Sequence, residues 1–328
     1  MTRALLALRI HRFEAVALVL VAAAVLVFAG GVLLRLLAYG LPVSCFLSAH
    51  SGDGSDSDCA ARVDYNEYLG LAGDVGMYAV IAIMILPFVL GLIAGVAVMA
   101  KELERGTAAL AWSISPSRRR WLVGAVLPVA FAVVALSVSA GLLSDRLELA
   151  RDPSLDPAAS LHHLGLRGIV IPAYALAAFG TALAVGARLG RVLPALLLAG
   201  ALSLGSALGT TAIVDAMLRS EAIRVDESAM LEVRAFATGR VFDSLIRTPE
   251  GEYISWLEAE ARYGSSFWFS IDPDNPDSGP STGLRSAYLV VPGQLYPIAE
   301  RRLAVILGAI GLSGIVLAFA IVERRRPG

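Results

Sequence analysis

Cysteine, lysine and charge are all scarce in this 328-residue chain, and each shortage removes a class of function. There are two cysteines, Cys45 and Cys59, with no C-x-x-C between them, and no H-E-x-x-H or G-x-S-x-G occurs elsewhere. The single lysine, Lys101, is followed by Glu102, so the chain carries no Walker A motif, which needs Lys followed by Ser or Thr. If ATP drives this protein, the nucleotide and its Mg²⁺ sit on another polypeptide, and no cofactor is expected on this one. His162 and His163 are neighbours near Asp156, but two candidate ligands without a third read more simply as a solvated loop than as a metal site. Charged residues make up 17% of the chain against about 25% in soluble domains, and a net charge of −1 gives no footing for nucleic acid. Within the apolar blocks the only candidates for an ionisable group are Arg35 and Asp215, both close to block ends. That absence argues against an ion-coupled transporter or a channel.

What remains is apolar. Hydrophobic residues are 57% of the chain, gathered into blocks of about 20, the length that crosses a hydrocarbon core of about 30 Å. Six spans are predicted, at 15–37, 75–99, 121–143, 168–185, 192–217 and 303–322, in a single transmembrane domain covering 1–328. The arginines cluster on one side: Arg3, Arg9 and Arg12; Arg105 and Arg118–Arg120 with Lys101; Arg188 and Arg191; Arg324–Arg326. The positive-inside rule puts these, and both termini, in the cytoplasm of a cell with the chain in its plasma membrane. Arg301 and Arg302 are the one contrary signal. Residues 1–13 alternate leucines and arginines at helical spacing, either as an interfacial helix or as a basic flank orienting the first span. The block that follows is too long for a cleavable signal peptide.

The segments 38–74, 144–167 and 218–302 then face outward. Cys45 and Cys59 share the first of them, where an oxidising exterior allows a disulfide worth about 3 kcal/mol; two free thiols are the alternative. The long segment 218–302 is too polar for the bilayer. The spacing of Met230, Leu231, Val233 and Phe236, and of Phe242, Leu245, Ile254 and Leu257, predicts short helices forming a small cap. Two G-x-x-x-G pairs, Gly91/Gly95 and Gly205/Gly209, mark faces where helices can approach closely.

The inner segment 101–120, KELERGTAALAWSISPSRRR, is the most informative. Gly106 breaks the preceding helix, Thr107 can cap a new one, and Ala108–Ile114 are helix formers carrying Leu110 and Trp112. Pro116 stops the run and three arginines follow, Arg118, Arg119 and Arg120. The result is a short helix with bulky groups exposed to the cytoplasm. Trp112 either awaits a partner protein or rests in the headgroup zone.

This region resembles the membrane subunit of ABC-2-type transporters, particularly the actinobacterial permeases. That pattern is a helix ending in E-x-E-x-G-T, an L-A-W segment and then S-x-x-R-x-W-L, positions held here by Glu102, Glu104, Gly106, Thr107, Leu110, Ala111, Trp112, Ser117, Arg120, Trp121 and Leu122. Residues 168–196 and 294–302 are similar to two further stretches of the family, although Ala299, Glu300 and Leu303 stand where it often has aromatics. The residues together predict an all-α integral membrane fold with six transmembrane helices, an N-terminal interfacial helix and a helical extracellular cap, and the resemblance implies that the short cytoplasmic helix is a coupling helix. It also implies a non-catalytic exporter subunit that pairs with a second copy and with separate ABC ATPase subunits. The coupling contact would fall on Glu102, Glu104, Thr107, Leu110, Trp112 and Arg118–Arg120, with Gly106 in a backbone role; for the glutamates the plain alternative is a solvated helix end. A different class of function also fits the residues: a membrane-anchored accessory or sensor protein that binds a ligand or partner through 218–302.

Overall fold

A computed structural model describes residues 12–40, 63–108, 117–153, 156–161, 164–226, 238–264 and 284–324. Cys45 and Cys59, Leu110 and Trp112, His162 and His163, and the amphipathic start of the chain lie outside the described residues. The chain divides into two compact units, one of residues 1–154, 165–213 and 300–328, the other of 155–164 and 214–299.

The first unit is a bundle of long apolar helices. They are α1 (Arg12–Ala38), α2 (Val63–Gly70) running through a π-helical turn (Leu71–Val75) into α3 (Gly76–Glu104), α4 (Arg118–Arg151), α5 (Val170–Leu189), α6 (Val192–Arg219) and α8 (Tyr296–Arg324). Six helical stretches among the described residues are long and apolar enough to cross a membrane; four predicted spans fall inside them, and 15–37 and 168–185 begin just before Val16–Ala38 and Val170–Leu189. The chain is therefore a multi-pass membrane protein.

Helix α5 is the axis of this bundle. Its apolar window is 78% buried, against 22% in α4, α6 and α8, so it is wrapped by neighbours rather than by lipid. Small residues make that enclosure possible. A Cβ added to Gly91 would lie 2.4 Å from the Ala175 carbonyl oxygen, and one on Gly95 would lie 2.6 Å from that of Phe179. On the other side of α5, a Cβ on Gly180 would lie 2.0 Å from the Gly311 carbonyl oxygen, and one on Gly314 would lie 2.5 Å from that of Gly180. Backbones touch on both sides, as they do where transmembrane helices join through glycine. The pair Gly91/Gly95 thus holds α3 to α5. Gly205 and Gly209 have nothing within 4 Å.

The π turn at 71–75 is held from α4. Arg151 Nε donates to the Ala72 carbonyl at 2.8 Å, and Arg151 is paired with Glu148 at 3.0 Å. The guanidinium thus ties α4 to a carbonyl inside the wider turn. Tyr68 donates its hydroxyl to the Ala150 carbonyl beside it.

The second unit corrects the all-helical expectation for 218–302. It contains a four-stranded antiparallel sheet, ordered β1–β4–β2–β3, from β1 (Ile223–Asp226), β2 (Arg240–Arg247), β3 (Tyr253–Ser255) and β4 (Arg285–Val291). Met230, Leu231, Val233 and Phe236 lie outside the described residues; among the described ones Trp256–Tyr263 is a helix, α7, begun by Ser255 accepting from the Glu258 N–H at 3.2 Å. The cause of the misreading is local. The register of β2 shifts between Val241 and Asp243, leaving Phe242 as an extra residue. A bulge resets the two-residue alternation, so Phe242 and Leu245 appear three apart, as on a helix. The core of this unit is Ile246, Ile254, Ala259 and Leu284. Leu257, expected on an apolar helix face, is 80% exposed.

Candidate functional site

The sequence singles out the turn from α3 into α4, and its described part is an elbow tied to two further helices. Helix α3 ends as Arg105 and Gly106 close a tight turn, with N–H bonds to the Lys101 and Leu103 carbonyls at 3.1 and 3.2 Å. Gly106 has φ +71°, a left-handed conformation that side-chain-bearing residues adopt at a cost, which is why a glycine stands there.

Three motif residues brace this turn. Glu102 is buried, and the Thr107 hydroxyl turns back toward it, 2.5 Å from Oε2 and 3.2 Å from the Glu102 carbonyl. Glu104 is exposed, yet its Oε2 accepts the Val192 N–H at 2.9 Å, at the first residue of α6. A carboxylate at a helix N-terminus satisfies an otherwise orphaned donor and faces the positive end of the helix dipole. Immediately before it, α5 closes on Gly190 at φ +65°, whose N–H returns to the Gly186 carbonyl at 2.9 Å.

The far arm of the elbow begins α4. Ser117 caps it, its Oγ accepting from the Arg120 N–H at 3.1 Å. Arg118 reaches the Val322 carbonyl in the last turns of α8 at 3.5 Å, a cation beside the negative end of a helix. Arg119 and Arg120 are exposed. Of the predicted residues, the structure brings Glu102, Gly106 and Thr107 into one turn, joins Glu104 to α6 and sets Arg118 against α8. Leu110 and Trp112 lie outside the described residues.

Three residues of the bundle were missed by reasoning from sequence. At the opposite end of the bundle, Glu300 Oε1 accepts the Ile169 N–H at 2.9 Å and Asp145 accepts that of Gly168. Arg167 is buried beside them and interacts electrostatically with Asp145. Glu300, standing where the resembling family often has an aromatic, was the available signal: a carboxylate just inside an apolar helix needs a partner.

Long apolar helices packed around one enclosed helix define a multi-pass membrane protein. Residues 15–215 match the ABC-2 membrane transporter related family; this is more than half of the chain, which belongs to that family. The match takes in α1 to α5, the elbow and most of α6. No curated protein and no solved structure matches the chain.

Proposed function

We propose that this chain is the permease subunit of an ATP-binding-cassette exporter, driven by ATPase subunits on separate polypeptides. In this reading residues 108–114 form a coupling helix that seats in the ATPase through Leu110 and Trp112, with Arg118–Arg120 beside it. The elbow and both termini face the cytoplasm, two copies pair, and Cys45 and Cys59 are bridged on the outer side. Glu102, Glu104, Gly106 and Thr107 act as the mounting of the coupling helix.

The observation that supports this most is the bracing of the elbow. Through Glu104 and Arg118 the segment between α3 and α4 is joined to the start of α6 and the end of α8. A push on that segment therefore reaches four helices at once. ATP closing an ATPase dimer biases a conformational equilibrium only if the two states are coupled mechanically, and the elbow offers that connection.

The test is co-purification of the tagged full chain with its cognate ATPase, alongside transport. Trp112→Ala and Leu110→Asp each lose the ATPase while keeping the melting behaviour of the parent. Retention of both ATPase and transport in both variants refutes the coupling assignment.

The second reading, an accessory or sensor protein, draws on one observation: residues 214–299 belong to a compact unit of their own with its own core. A chain that purifies without any ATPase and retains function after Trp112→Ala favours it.

A further inference from the structure

Helices α3 and α6 do not close fully against each other. Between them lies a cleft of about 260 Å³, lined by Ile85, Phe88 and Leu92 from α3 and by Gly200, Ser203 and Leu204 from α6. Ile85 and Leu204 are 48% and 57% exposed, so the cleft opens sideways from the bundle. Its back wall is fixed: the Phe88 ring lies 5.1 Å from that of Tyr174 on α5. Counted at 1.5 Å per residue from the elbow, Gly200 and Leu92 sit about 12–18 Å in, near the middle of a hydrocarbon core.

Ser203 is the one residue with a polar side chain in the lining of this cleft. Ser203 is 3% exposed, and its Oγ has no hydrogen-bond partner among the described residues. Its neighbours on α6 behave differently. Ser206, Thr210 and Thr211 turn their hydroxyls back onto carbonyls three or four residues earlier, at 2.8, 2.7 and 3.0 Å. That back-bonding is the usual resort of a hydroxyl in a membrane helix, where no water is at hand. Ser203 forgoes it and borders the cleft between its helix and α3. The space itself is kept by Gly200, whose nearest neighbour for an added Cβ is Leu92 Cδ2 at 3.6 Å.

We infer that the α3–α6 cleft binds the chain of an amphiphile carrying a carbonyl oxygen within its apolar part, with the Ser203 hydroxyl donating to that oxygen. An upright bilayer lipid is a poor match. Its ester groups lie in the interfacial layer outside the hydrocarbon core, whereas Ser203 sits near mid-depth. The cleft therefore selects a molecule whose hydrogen-bond acceptor is buried deep along an alkyl chain. The inference deepens the transport reading by naming a substrate class, but the binding itself needs no ATPase.

The experiment uses the full chain in nanodiscs and two probes of equal chain length, each with a terminal diazirine: a mid-chain keto fatty acid and its saturated counterpart. After photolysis, labelling of peptides containing 84–92 and 200–204 is compared with labelling of the outward face around Leu127 and Phe131, which are 65% and 75% exposed. The keto probe labels the cleft about tenfold over the saturated one, the ratio one hydrogen bond made in hydrocarbon supplies. Ser203→Ala removes the difference, and Gly200→Leu removes cleft labelling by both probes while size-exclusion and melting profiles stay those of the parent. Should Gly200→Leu disturb folding, Ser203→Ala alone still decides. Equal labelling by the two probes overturns the inference. So does a preference that survives Ser203→Ala, labelling no stronger than on the outward face, or Leu204 cross-linking to a second copy instead. Because ATPase is absent from the assay, a failure of coupling leaves this result standing, and the reverse also holds.

Discussion

Glu300 Oε1 accepts the backbone N–H of Ile169 at 2.9 Å, so the first turns of α8 cap the start of α5. Asp145 on α4 takes the adjacent Gly168 N–H, and Ser144 donates to the Leu166 carbonyl at 2.8 Å. Two carboxylates from two other helices thus meet the positive end of the most buried helix in the bundle. Glu300→Ala leaves a donor without its partner and costs about 1–2 kcal/mol. Glu300→Gln keeps an acceptor oxygen and costs less. Thermal melts of the purified full chain check this, and equal melting of the two variants would remove the cap.

The glycines of the bundle make a sharper prediction. At Gly180 an added Cβ falls 2.0 Å from a backbone oxygen of α8, and backbone atoms cannot swing aside as a side chain tip can. Gly180→Ala therefore separates α5 from α8 and lowers the yield of folded protein severely, beyond the 1–3 kcal/mol usual for overpacking. Gly205→Ala and Gly209→Ala meet nothing within 4 Å and leave the monomer's stability within about 0.5 kcal/mol of the parent. Fluorescence-detected gel filtration of all three variants separates the cases. A well-folded Gly180→Ala would show that α5 and α8 do not touch through their backbones.

How much of this was legible in advance follows from what each signal measures. Apolar runs of about 20 residues are dictated by the bilayer, so all six spans could be read directly. The two G-x-x-x-G pairs looked alike in sequence, yet only Gly91/Gly95 meets another helix, because the motif does not encode which side of its helix faces inward. The sheet at 223–291 was hidden by the bulge at Phe242 and by strands as short as Tyr253–Ser255, too brief for alternation to register. At the elbow, the tight turn at Gly106 was visible from residue type. The bonds from Glu104 to Val192 and from Arg118 to Val322 join residues 88 and 204 apart in sequence, and no local pattern announces such pairs.

At the elbow, Glu104→Ala separates mechanical from structural roles. The lost cap of α6 costs about 1 kcal/mol, a modest fraction of a domain's stability. If an ATPase seats on Leu110 and Trp112 as proposed and α3 drives α6 through this bond, ATP-dependent transport falls much further than stability does while ATPase binding persists. Gly106→Ala strains the left-handed turn by about 1–2 kcal/mol and redirects the segment that follows, so here ATPase binding itself weakens. Parallel measurement of melting, co-purification and transport tells the two variants apart. Glu104→Ala with transport falling only in step with folded protein would reduce that residue to an ordinary helix cap.

In the second unit, Asp215 is explained by a partner rather than by an ion pathway. Arg240 grips it with both guanidinium nitrogens, at 2.8 and 2.9 Å, and the guanidinium groups of Arg240 and Arg219 each lie 5.5 Å from the Phe242 ring centroid. The pair is partly exposed, with side-chain accessibilities of 36% and 26%, so solvent screens much of its attraction. A double-mutant cycle on Asp215→Ala and Arg240→Ala should return a coupling of about 1 kcal/mol, towards the upper end for such pairs because two parallel bonds fix the geometry. Arg240→Lys keeps the charge but not the fork, and retains less than half of that coupling. If lysine serves as well as arginine, the bond is a simple charge contact and the guanidinium's planar geometry is irrelevant at this position. If the cycle returns no coupling at all, the bulged start of β2 is held by Phe242 and its neighbours, without help from Asp215.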